Sequence, residues 1–347
     1  MTEGYASHLK GEKDIDLVKR SAIGASSAIL SALFVYPGSH SGIGYCIVDL
    51  AVFDHHIASR SDGEYSGYEI IKILQYITHT LSRDGCTPVF LVLSPLWAGT
   101  KKHTWIGELH LRFAKANGLP YFDFIKYFNI NTGIYSSDLS NVYVDSDHPN
   151  SAIQKDIARI LAEFIRRDKE SKNNMVQVKS GMPMFREVYP ETASSNAETI
   201  TRQTTLIARK FWKIRDNDTL TYRVLDNSFL RAVVLNSAHS FGNILFLGDG
   251  KIVKDFSGKP LATDDRLVLQ VVPVFGDLSG QQNAIEVSLT HDAPTEQRIS
   301  ASSVDLAQPH VLEVSSLVME EPSDFVHYSA PVYSIPDGDI ASVARRA

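Results

Sequence analysis

Cysteine is scarce in this 347-residue chain, with only Cys46 in an apolar run and Cys86 in a turn. Two thiols without a recognisable His partner form neither a disulfide framework nor a zinc site, and both read as reduced packing residues. No stretch of 18 apolar residues occurs, so the sequence encodes no transmembrane helix. The first twenty residues are polar and mixed in charge, without the apolar core of a signal peptide, which gives the expectation of a cytoplasmic protein. A basic excess is missing as well. With 34 Lys and Arg against 40 Asp and Glu, the net charge of −6 offers no broad positive field to nucleic acid or an anionic membrane. Internal repeats and low-complexity tracts are absent too.

What is present is a globular composition, 44% hydrophobic and 21% charged, over a length that suits about two domains. The first half alternates strand-like and helix-like segments, the pattern of a parallel sheet with helices on its faces. A strand over 17–23 enters Gly24-Ala25-Ser26-Ser27, and a helix can follow to residue 34. A Gly-rich loop leads into the apolar run 45–53, whose lack of alternation suits a central strand buried on both faces. Ile70, Ile73, Leu74, Ile77 and Leu81 fall on one helical stripe before Asp84-Gly85. The cycle repeats as a strand over 88–96, a helix over 105–116 and a short strand at 119–124. A last short strand ending at Val144 precedes the loop DSDHPN and a helix from about Ser151, which Asn150 or Ser151 can cap.

The composition turns polar over 169–198, which reads as a linker or an extended crossing segment. Beyond it, eight short strand-like runs without helices suggest a β-sandwich or jelly roll over 199–336, with a tail at 337–347.

Two motifs carry chemistry. The strand–turn–helix around Ser26 would expose a hydroxyl at the carboxyl edge of a sheet, where the helix N-terminus can stabilise a developing oxyanion through its N–H groups; the plainer reading is that Ser26 or Ser27 caps the helix. In DSDHPN, Asp145 and His148 lie three apart in a loop that opens a helix, so the carboxylate could fix the tautomer of the imidazole.

Taken together, the Gly-x-Ser turn and the Asp-x-x-His-Pro-Asn loop, about 120 residues apart, resemble the first and last sequence blocks of the SGNH (GDSL-type) hydrolases. The resemblance covers residues 1–168 and implies a flavodoxin-like α/β domain with Ser26 as nucleophile and Asp145 and His148 completing the triad, without a cofactor. Here Gly24-Ala25-Ser26 stands for the usual Gly-Asp-Ser. The third block aligns with Ala51-Val52-Phe53-Asp54, which puts Phe53 where the oxyanion-stabilising Asn belongs. Gly38, Gly42 and Gly44 are candidates for the glycine that supplies another oxyanion N–H.

Asp54-His55-His56 places three metal-ligand types in a row, but on an extended chain neighbours point to opposite faces, so no metal is expected. The cluster is expected to line a pocket mouth, with His55 or His56 contacting substrate. The triplet Asp145-Ser146-Asp147 also resembles the divalent-ion motif of glycosyltransferases, but no nucleotide-binding glycine motif precedes it. Trp97, Trp105 and Trp212 could stack on sugar rings, although such residues are usually core.

The resemblance implies a carboxyl-ester hydrolase acting on O-acyl groups of a carbohydrate, so the expected partners are a small-molecule or carbohydrate ester and a second copy of the chain. Two alternatives are an acyltransferase with the same triad and a hydrolase-like binding protein without turnover.

Overall fold

A computed structural model describes residues 4–16, 27–60, 65–96, 103–132, 142–168, 175–181, 184–204, 208–256, 261–274, 276–290, 297–298, 309–321 and 325–331. Seven helices are seen among them: α1 (Tyr5–Lys10), α2 (Ala28–Ala32), α3 (Ala51–Arg60), α4 (Gly67–Arg83), α5 (Trp105–Ala116), α6 (Phe124–Thr132) and α7 (Ser151–Asp168). Strands β1 (Tyr45–Val48), β2 (Thr87–Val92) and β3 (Tyr121–Asp123) pair in parallel in that order. Every residue of β2 is buried, as expected of the middle strand of a sheet covered on both faces. On one face pack α2, α4 and α5; on the other, α1, α6 and α7 close a second core around Phe122, Phe128, Ile157 and Phe164.

Local chemistry sets the helix starts. Ser66 Oγ accepts the Glu69 N–H, Thr104 Oγ1 accepts that of Gly107, and Asn150 Oδ1 accepts that of Ile153. The α4 stripe is inward, with Ile70, Ile73, Leu74, Ile77 and Leu81 all buried.

Two expectations change here. The run 45–53 is a strand only to Val48, because Ala51 opens α3, so Phe53 and Asp54-His55-His56 ride on a helix instead of an extended loop. Tyr143 forms a single bridge with Pro149, not a strand. The expected strand at 17–23 lies outside the described residues.

From residue 175 onward all described structure is β. Residues read as a linker instead form β4 (Met175–Gly181), β5 (Met184–Val188) and β6 (Thr192–Ala193). After them come β7 (Glu198–Gln203), β8 (Ala208–Ile214), β9 (Thr219–Arg223), β10 (Phe229–Asn236), β11 (Gly242–Leu247), β12 (Lys251–Phe256), β13 (Leu269–Pro273), β14 (Ala284–Thr290), β15 (Gln297–Arg298), β16 (Leu312–Glu321) and β17 (Phe325–Pro331). One sheet runs β13-β10-β16-β8-β7, with β5 also on β16; a second runs β15-β12-β11-β14-β9-β6; β4 and β17 pair by themselves.

The first of these sheets has apolar residues on both faces. Ala232, Val234, Val271 and Val318 join the core built on α2 and α4, while Val233, Leu235, Val272 and Leu317 join Ile244, Phe246 and Val287 of the second sheet. That two-sided burial explains the apolar run Ala232–Leu235 of β10. Phe185 of β5 fastens the halves together: its ring meets Tyr76 of α4 edge-on at 5.3 Å, and the Tyr76 hydroxyl donates to its carbonyl at 3.4 Å. Lys72 of α4 adds an ion pair to Glu320 of β16 at 2.7 Å. Among the described residues, no helix is long and apolar enough to cross a membrane.

Because one core spans both halves, they should unfold together. Phe185→Ala is expected to cost about 3–5 kcal/mol, seen as equal midpoint shifts in chemical denaturation followed by helical circular dichroism and by the fluorescence of Trp212 in a chain whose other two tryptophans, Trp97 and Trp105, are replaced by Phe. A shift confined to one probe would show that the halves are independent.

Candidate active site

In a parallel sheet all strands end at one edge, and the described chemistry collects there. The loop before α7 is built by Asp145, whose Oδ1 accepts the N–H of Asp147 and that of His148, each at 2.9 Å. The same carboxylate meets His148 Nδ1 at 2.8 and 2.9 Å through its two oxygens. Asp145 therefore holds the ring with Nδ1 protonated and leaves Nε2 as the basic nitrogen. Against slight burial, those two N–H groups and the ring keep the Asp145 carboxyl below the usual range. Both side chains are about half exposed, at 55% for His148 and 53% for Asp145.

Three ties fix this loop to the sheet. The Leu96 N–H donates to the Ser146 carbonyl at 2.8 Å, the Tyr143 hydroxyl donates to the Ser94 carbonyl, and His56 Nε2 meets Asp147 Oδ1 at 3.1 Å. Leu96 and Ser94 follow β2, and His56 lies on α3, which follows β1. His56 thus serves as a strut for the loop. His55 is half-buried, and burial together with the neighbouring His56 lowers its pKa.

Asp49, directly after β1, escaped the sequence reading. Burial pushes its carboxyl up to about 7, against the opposing effects of a hydrogen bond from Tyr5 and the charge of His148. A second pair, His103 and Asp123 at 2.8 Å, stands where β3 ends. Burial would raise the Asp123 carboxyl, but the His103 ring and the Lys126 N–H bring it below its ordinary value.

Asp54 does not line a pocket mouth. It is fully buried, accepting the Ala28 N–H at 2.7 Å, the Tyr65 hydroxyl at 3.3 Å and a bond with His110 Nε2 at 2.9 Å. The start of α2 is fully engaged around it. Tyr65 also bonds the Ile29 backbone, Ser27 Oγ accepts from Leu30 N–H, and the Ser27 carbonyl accepts from Ser31 N–H. Ser27 is the cap, and the N–H groups of residues 28–31 are therefore not available to an oxyanion. Ser26 and Gly24 lie outside the described residues.

Gly38 and Gly42 fall at the wrong edge. Their φ angles of +83° and +81° build the turn that enters β1 at its amino end. Asp84, which ends α4 before β2, accepts the N–H of Gly38 at 2.8 Å and of His40 at 2.9 Å. Strand length separates this turn from His148, so neither glycine can serve an oxyanion there. Gly44 lies at the same amino end, its carbonyl accepting the Thr87 N–H. Among the described residues, no group of three His, Cys, Asp or Glu side chains could hold a metal. Cys46 and Cys86 are unbridged, and burial drives the Cys46 thiol up to about 12, which keeps it unreactive.

No protein-family model and no curated protein matches the chain. Solved structures that share its fold include a two-domain esterase (CEX) active on acetylated mannans, and the same esterase co-crystallised with mannopentaose. The TM-scores are 0.56 and 0.55 at 13% and 14% identity, over 92% of this chain and 86% of the other. The likeness therefore spans both halves.

Asp54→Ala should cost about 3–5 kcal/mol, because it removes the buried acceptor shared by His110, the Tyr65 hydroxyl and the Ala28 N–H; urea denaturation reads this directly. Asp49 gives a pH signature. Its raised pKa means that the folded chain binds this proton more tightly than the unfolded chain, so the associated stability is lost as pH rises through about 7. Asp49→Asn should flatten the fall of the urea midpoint between about pH 4 and 7, and an unchanged slope would refute the assignment.

Proposed function

We propose that the chain is a carboxyl-ester hydrolase of SGNH type that removes O-acyl groups from a carbohydrate. The observation that carries this reading is the Asp145 carboxylate clasping Nδ1 of His148 at the carboxyl edge of a parallel sheet. The two-domain fold shared with an esterase active on acetylated mannans supports it.

In this mechanism Ser26 is the nucleophile. His148 Nε2 takes the hydroxyl proton as Ser26 Oγ attacks the acyl carbon, and Asp145 stabilises the imidazolium. As the tetrahedral intermediate collapses, the C–O bond to the sugar breaks, and His148 gives its proton to the departing alkoxide. Water, deprotonated by the same imidazole, then attacks the acyl-serine and releases the carboxylic acid and free Ser26. A sugar hydroxyl in place of that water would make the reaction an acyl transfer, and product analysis with and without a saccharide acceptor separates the two.

One observation favours a second reading, a binding protein without turnover. The N–H groups at the start of α2 are occupied by Asp54, Tyr65 and Ser27, and Phe53 sits on a helix where the resemblance calls for a polar donor. Loss of one oxyanion donor costs about two to three orders of magnitude.

Short-chain aryl esters and a serine-reactive phosphonate decide between them. The hydrolase reading expects turnover, one adduct on Ser26, and a loss of about 10³-fold or more in Ser26→Ala and His148→Ala. No turnover together with no adduct would leave the binding protein.

A further inference from the structure

Between the two halves lies a cleft with about 150 Å³ of space, walled by Tyr65, Ser66 and Glu69 on one side and by Arg231, Gly276 and Asp277 on the other. Its floor is apolar, with Ile29 and Ile73 from α2 and α4 opposite Val274 after β13. The ionic groups that line it are paired with one another and with Lys72 and Glu320 behind them: Arg231 pairs with Glu320 at 2.5 Å and with Asp277 at 3.6 Å, while Lys72 joins Glu320 at 2.7 Å and approaches Glu69 at 3.9 Å. Two cations against three carboxylates give no attraction for an anion. They instead frame a small chamber with hydrogen-bonding walls and an apolar floor, which matches a neutral ring carrying hydroxyls at its edge and C–H groups on its face.

Next to Ser66 the chain places aromatic surface in solvent. Tyr68 is 69% exposed and Trp105 is 53% exposed. The Trp105 ring lies against Gly67, within 3.7 Å of where a Cβ would stand there. Flat aromatic surface beside such a chamber can stack on a further sugar ring.

From this arrangement we infer that the cleft between the halves, with the exposed Trp105 ring packed on Gly67 beside it, binds the neutral saccharide portion of the substrate. The inference deepens the ester-hydrolase reading and rests on it for the word substrate; binding itself requires no turnover.

The test is calorimetric titration of the full chain with unacylated mannopentaose, cellopentaose and xylopentaose, and with a hexuronic acid oligomer as the charged control. At least one neutral oligosaccharide should bind and the acidic one should not. Asp277→Asn and Trp105→Ala, both changes at exposed side chains, should weaken that binding at least fivefold, with thermal midpoints recording that the fold is intact. No binding of any neutral oligosaccharide at millimolar concentration would overturn the inference, as would unchanged affinity in both folded variants or preference for the acidic oligomer. Neutral-sugar binding that persists in a chain inert toward aryl esters would uphold the cleft and defeat the hydrolase reading, so the two fail separately.

Discussion

One buried carboxylate organises the helical face of the α/β half. Asp54 is removed from water and must find its stabilisation inside the protein, and it does so by drawing together the start of α2, the Tyr65 hydroxyl ahead of α4, and His110 of α5. Each donor comes from a different segment, so none of the three helices can shift without exposing an unmet charge. The same helices carry the apolar residues on which the β-rich half rests. A polar contact of a few ångströms thereby fixes the seat of an entire second sheet.

Much of this could be read from the residues. The stripes of α4, α5 and α7 have the period of helices packed on one face, and the eight runs from β9 to β14, β16 and β17 have the length and punctuation of strands. Asp145 and His148 are close because three residues in a tight loop cannot be otherwise. Where reading failed, the deciding contact was remote or directional. Residues 51–53 are apolar enough to prolong β1, yet they open α3, which carries Asp54 to the Ala28 N–H 26 residues away, a contact that local periodicity does not announce. Gly38 and Gly42 announce a turn correctly, but which edge of the sheet it occupies depends on chain direction. Residues 184–198 are polar because β5 and the start of β7 keep outward faces in solvent, and that polarity imitates a linker.

The middle sheet is the layer that joins the halves. With helices on one side and a second sheet on the other, it has no solvated face over β10, and its side chains alternate between two cores. The ionic cluster of Lys72, Arg231 and Glu320 sits where those cores approach the surface, and Glu320 lies below its usual pKa because both cations, working against burial, favour its charged form. Charge thus closes the border that apolar packing leaves open.

Helix α1 is short, but it is not an ornament. Its Tyr5 N–H donates to Gln154 of α7 at 2.8 Å, and its Tyr5 hydroxyl reaches Asp49, which faces His148. A six-residue helix near one end of the chain thereby sets the hydrogen bonding of a carboxylate beside His148, so a substitution at Tyr5 alters the surroundings of that imidazole from the far end of the domain.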